Sequence, residues 1–140
     1  MKIKEQRMKE TEFYTYVNVN PKNRICGDCV IRAISDSLNQ SWETTVRELT
    51  ELGIKHGLVL NDKKLYPLYL KLKGYVQYAE PRDVCNRKMT IKEFIIENQL
   101  YKCNIICNAG SHHVICIKDG KVHDIWNSSN ETIHKFWRKI

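Results

Sequence analysis

No apolar run in this sequence approaches the roughly 20 residues of a membrane-crossing helix, so no transmembrane span is expected. The opening, Met1-Lys2-Ile3-Lys4-Glu5-Gln6-Arg7, is charged where a secretory signal would be apolar, which makes a cytoplasmic location the expectation. With 3 prolines and 6 glycines in 140 residues, no linker, repeat or low-complexity tract divides the chain. One domain over residues 1–140 is expected, with 1–11, charged and without clear period, as a flexible arm or leading helix. Acidic residues are the scarcer sign, 16 against 23 lysines and arginines, for a formal charge of +7. The excess is dispersed along the chain, the pattern of a solvated surface that still speeds encounter with acidic partners. No nucleic-acid motif accompanies it, so nucleic acid is not the expected partner; oligomeric state is left open.

What is present is an ordinary apolar fraction of 42% with 28% charged residues, enough to bury roughly two-thirds of the unfolded chain's surface without help from metal or disulfide. Six cysteines stand at 26, 29, 85, 103, 107 and 116. In the expected reducing compartment they are read as free thiols, and Cys103, Cys107 and Cys116, set among isoleucines and valines, as packing residues.

Phe13 to Val19 is rich in aromatic and β-branched residues and suits a strand, stopped by Asn20-Pro21-Lys22-Asn23. Val30, Ile34 and Leu38 recur every four residues, which predicts a core helix. A second helix follows with Ser41 as N-cap and Gly53 or Gly57 near its end; a third is expected from near Pro67 to Gly74. Gly74 to Tyr78 reads as a short strand, and Thr90 with Glu93 as a capping box opening a further helix. Lys102–Cys107, His113–Ile117 and Lys121–Trp126 are spaced as an antiparallel meander, and Phe136 and Trp137 are expected to close the core. The fold class is therefore α+β, a cysteine-bearing N-terminal helix on a C-terminal antiparallel sheet.

The chemistry concentrates in Cys26-Gly27-Asp28-Cys29, which leads into the first helix. The first N–H groups of a helix lack intrahelical partners and the macrodipole favours negative charge there, so a thiolate is stabilised. Cys29, in the first turn, is preferred as nucleophile to Cys26, which precedes the glycine. Asp28 can cap the helix, provided its charge points away from the thiol.

Asp119-Gly120 forms a two-residue type I′ turn, which pairs Lys118 with Lys121, Ile117 with Val122, Ile115 with Asp124 and His113 with Trp126. His113 and Asp124 then become diagonal neighbours on one sheet face, about 7–8 Å apart at Cα. In the same register His112 lies opposite Asn127, an alternative couple of base and orienter. His123 and His134 look incidental.

These residues, Cys-Gly-x-Cys at a helix start, His-Val-Ile opening a strand at His113, and an acid or amide on the return strand, resemble the papain-like cysteine peptidase superfamily. The separation of Cys29 from His113 is well short of the ~130–150 residues of papain, which makes the chain similar to compact bacterial and phage members, including bacteriocin-processing peptidases. The resemblance favours His113 as the base and implies an Asp or Asn orienter. Asp124 is preferred and Asn127 the runner-up, because a carboxylate stabilises imidazolium better than an amide does. It also places a glutamine-like amide about six residues before the cysteine, making Asn23 the expected oxyanion donor beside the Cys29 N–H, with Asn20 as fallback.

The expected activity is thus that of a cysteine hydrolase acting on a protein or peptide through a thioester acyl-enzyme, with no cofactor. Deamidation and acyl transfer use the same triad. The alternatives are an inactive papain-like or basic binding module, and a zinc domain using Cys26 and Cys29 with Cys103 and Cys107 or His113.

Overall fold

The computed structural model describes residues 7–98 and 104–139. In chain order the elements are β1 (Tyr14–Tyr16), α1 (Cys29–Leu38), α2 (Trp42–His56), α3 (Leu65–Leu72), β2 (Tyr75–Tyr78), α4 (Ile91–Asn98), β3 (Ile105–Ala109), β4 (His113–Lys118), β5 (Lys121–Asp124) and β6 (Ile133–Lys139).

Local chemistry sets most helix limits. Ser41 accepts the Thr44 N–H at 3.0 Å and Gly57, at φ 68°, closes the far end of α2. Thr90 and Glu93 exchange reciprocal bonds at 3.1 Å, completing the capping box of α4. α3 starts at Leu65, two residues before the expected position. Pro67 is then its third residue, where the missing N–H has no intrahelical acceptor to lose.

The strands form one mixed sheet in the order β1-β5-β4-β3-β6-β2. Asp119 (φ 54°) and Gly120 (φ 76°) make the turn between β4 and β5, with Lys118 opposite Lys121, Ile117 opposite Val122 and Cys116 opposite His123. The class is α+β, but the expectation of a purely antiparallel, C-terminal sheet needs correction. β1 joins β5 in parallel, Tyr14 opposite Val122 and Tyr16 opposite Asp124, and β2 lies at the other edge, antiparallel to β6. β6, expected only to supply core side chains, is a full strand between β3 and β2. Of the expected strand from Lys102, residues 102 and 103 lie outside the described region.

The sheet separates two apolar layers. On one face Ile31, Ile34, Leu49, Leu65 and Leu70 from α1, α2 and α3 pack with Ile106, Val114, Cys116 and Trp137. On the other, Ile91, Phe94 and Ile95 of α4 pack with Tyr14, Ile105, Ile115, Ile117 and Val122. α1 lies against β4, which brings its first residue over the start of that strand. No helix among the described residues is long and apolar enough to cross a membrane.

Candidate active site

Cys29 is the first residue of α1 and lines a cleft of about 560 Å³. The opposite walls come from the loop before α3 (Leu60, Asn61, Asp62, Lys63), from Tyr66 and Asn108, and from the turn before β4 (Gly110, Ser111, His112). Burial pushes the thiol up, but a hydrogen bond with His113, the Val114 N–H and the nearby charges of His113 and Arg32 outweigh it, so Cys29 ionises below its ordinary value. Exposed Cys26 moves the other way, raised by desolvation and then by the charge of Asp28.

His113 opens β4, and its Nε2 lies 2.5 Å from Asp124 Oδ2, leaving Nδ1 as the ring nitrogen for the thiol. Burial opposes its charge, but hydrogen bonds to Asp124 and Cys29 prevail and hold the imidazole up to about 9. The ring stacks on Trp126, centroids 5.1 Å apart. A depressed thiol and an elevated imidazole beside it favour the thiolate–imidazolium pair over the neutral thiol and imidazole.

Asp124 is held from every side. Its Oδ1 accepts from Arg32 Nη1 at 2.7 Å and from the Ile125 N–H at 2.7 Å. Its backbone carbonyl accepts from the Val17 N–H at 3.0 Å and from the Tyr14 hydroxyl at 3.2 Å, so β1 braces the residue that orients the histidine. Arg32, one turn into α1, spans two buried carboxylates, for its Nε donates to Asp28 Oδ1 at 2.8 Å. Asp28 makes no side-chain cap bond. It turns into the protein instead, accepting also from Asn20 Nδ2 at 3.1 Å and Trp42 Nε1 at 2.9 Å. Desolvation raises the Asp28 carboxyl, and these donors bring it below its usual value.

The other expected residues lie elsewhere in the arrangement. Asn23 is exposed, at φ 53°, and its amide oxygen accepts from Asn18. Asn20 is buried, with its oxygen on the Lys22 and Arg24 N–H groups and its nitrogen on Asp28. Neither lines the cleft. His112 stands exposed on the cleft wall, and Asn127 accepts from the Ser129 N–H at 3.0 Å, so the two do not form a couple. His123 contacts Asp36 at 2.6 Å and His134 contacts Glu80 at 2.7 Å.

Three residues of the site were not singled out in the sequence: Arg32, Tyr66 and Asn108. The Tyr66 hydroxyl accepts from Asn108 Nδ2 at 3.0 Å, which leaves its own proton for another acceptor in the cleft. Burial, then the charge on Cys29, keeps that phenol protonated. A helical arginine normally signals a solvated face, and an i, i+4 Asp-Arg pair alone could not have disclosed the second carboxylate.

Among the described residues no group of three His, Cys, Asp or Glu side chains could hold a metal ion, and Cys26, Cys29, Cys85, Cys107 and Cys116 are free thiols. Cys103, of the zinc alternative, lies outside the described region. Cys107 is fully buried, and its thiol is driven up by desolvation. Comparisons of the chain with known protein families, with curated proteins and with solved structures find no match.

Proposed function

We propose that this protein is a small papain-like cysteine hydrolase that cleaves an amide bond through a Cys29 thioester, with His113 as general acid and base and Asp124 as orienter. The observation that carries this is Cys29 at a helix N-terminus on the cleft wall, beside a His113 that lowers its pKa and is itself bonded to Asp124 at 2.5 Å. The thiolate adds to the carbonyl carbon, and the negative charge moves to the carbonyl oxygen. The Cys29 N–H and the Tyr66 hydroxyl are the donors for that oxygen, since neither Asn20 nor Asn23 lines the cleft. Collapse of the adduct breaks the C–N bond as His113 hands its proton to the leaving nitrogen. His113 then removes a proton from water, which attacks the thioester and releases a carboxylate and the free thiol. An amine in place of water gives acyl transfer, and a side-chain amide as substrate gives deamidation, by the same steps.

Labelling with iodoacetamide at neutral pH, followed by peptide mapping, tests the couple. Cys29 is expected to react fastest of the mapped cysteines, and His113→Ala to slow it at least about tenfold. Uniformly slow labelling in both proteins would leave Cys29 a packing residue.

A further inference from the structure

Lys63 and Lys135 line the cleft and also line a second hollow of about 720 Å³ between α3 and β2, so the two hollows adjoin as one trough. Lys64 and Lys71 of the same trough bring its lysines to four, all exposed, and no acidic side chain lines the second hollow. None of the four joins an ion pair among the described residues. Asp28 and Asp62 line the Cys29 cleft, Asp28 bound to Arg32, but along the second hollow the charges are of one sign, repel each other and are relieved when an anionic chain lies between them. The walls also expose apolar Leu68 and Val76. β2 ends the sheet, and one edge of its backbone therefore offers N–H and C=O groups to an added strand.

We infer that the substrate of the Cys29 site is an acidic polypeptide segment that docks extended in this trough, its Asp and Glu carboxylates among the four lysines and its apolar side chains on Leu68 and Val76. The role of substrate rests on the thiol reading above; the docking does not. A nucleic-acid strand would match the charge, but Tyr75 and Trp137 of the second hollow are only 3% and 1% exposed, which leaves half-buried Tyr66 of the Cys29 cleft as a single platform for base stacking among the tyrosines and tryptophans that line the trough.

Fluorescence anisotropy on the full chain carrying Cys29→Ala tests the docking, with a labelled peptide alternating glutamate and valine, its glutamine counterpart, and oligodeoxythymidylate as probes. The glutamate peptide is expected to bind at least about tenfold tighter than the glutamine peptide at low salt, and the advantage to shrink as salt rises. Lys64→Glu with Lys71→Glu, both at exposed positions, is expected to weaken it about tenfold, and the paired Gln substitutions to weaken it less. Equal binding of the two peptides, indifference to the double substitution, or tighter binding of the oligonucleotide would each overturn the docking.

A second measurement separates this from the thiol chemistry. Chloroacetyl versions of the two peptides are offered to the wild-type protein, and the glutamate version is expected to alkylate Cys29 the faster. Charge-selective binding with no alkylation of Cys29 would uphold the docking and end its role in a thiol reaction. Rapid iodoacetamide labelling of Cys29 with no charge preference in binding would do the reverse.

Discussion

At the scale of single residues, the Cys29–His113 pair predicts a particular pH dependence. Because Cys29 ionises below its ordinary 9.0, its alkylation rate should rise with pH at a midpoint below that value and then level off. Removing the partner in His113→Ala leaves burial opposed only by the Val114 N–H and the Arg32 charge, so the midpoint should move upward; an unchanged midpoint would show that the pair is not coupled. Turnover, which needs imidazolium to protonate the leaving nitrogen, should fall again as pH rises through about 9, where His113 gives up its proton. Asp124→Asn weakens the largest support for that charge and should bring the alkaline limb to lower pH. Arg32 carries a separate prediction. Truncation in Arg32→Met strands Asp28 and Asp124, 4% and 2% exposed, without their shared cation, and should cost about 3–5 kcal/mol in urea unfolding. Sequence made His113 and Asp124 legible because a two-residue turn fixes register. The oxyanion donors were not legible, since whether an amide faces a cleft or its own loop depends on backbone geometry such as the φ of 53° at Asn23.

Among the elements, α2 shows local propensity losing to a tertiary approach. Gly53 sits inside that helix, where alanine would ordinarily gain close to 1 kcal/mol. Here a Cβ at residue 53 would stand 2.3 Å from the Leu58 carbonyl oxygen, because the chain folds back after Gly57 and the Leu58 N–H bonds the Gly53 carbonyl at 2.8 Å. Gly53→Ala should therefore destabilise the protein where propensity alone predicts a gain, and Ser41→Ala, which removes the cap of the same helix together with the hydroxyl bond to Thr44, should cost about 1 kcal/mol. Thermal melting of the two variants checks both signs, and a stabilised Gly53→Ala would mean that the turn yields freely. Caps and turn glycines also explain why the helices were readable from sequence. β6 was not, because its register against β3 shifts between Cys107 and Ala109. Ile133 and Phe136, three residues apart, thereby face the same layer while Trp137 faces the other, and a period of two disappears from the strand.

Over the whole molecule, the site depends on parts of the chain that no local pattern links. Asp124 takes its backbone partners from Tyr14 and Val17, its side-chain cation from α1 and its histidine from β4. The parallel pairing of β1 with β5 joins residues 14–16 to 122–124, a closure that hydrophobic alternation in either strand cannot announce. Trp137 lies in the layer shared with α1 and α3, remote in sequence from Cys29, and touches Tyr66 edge-on at 5.4 Å. If one cooperative unit carries both the sheet and the site, far-UV ellipticity and the rapid alkylation of Cys29 should disappear at one urea midpoint. Trp137→Ala, which opens a cavity on the face of the sheet covered by α1, α2 and α3 at a cost of about 3–5 kcal/mol, should shift both midpoints together. Loss of alkylation at lower urea than ellipticity, in either protein, would instead mean that α1 detaches from β4 before the sheet melts, and that the geometry of Cys29 and His113 is maintained by that contact alone.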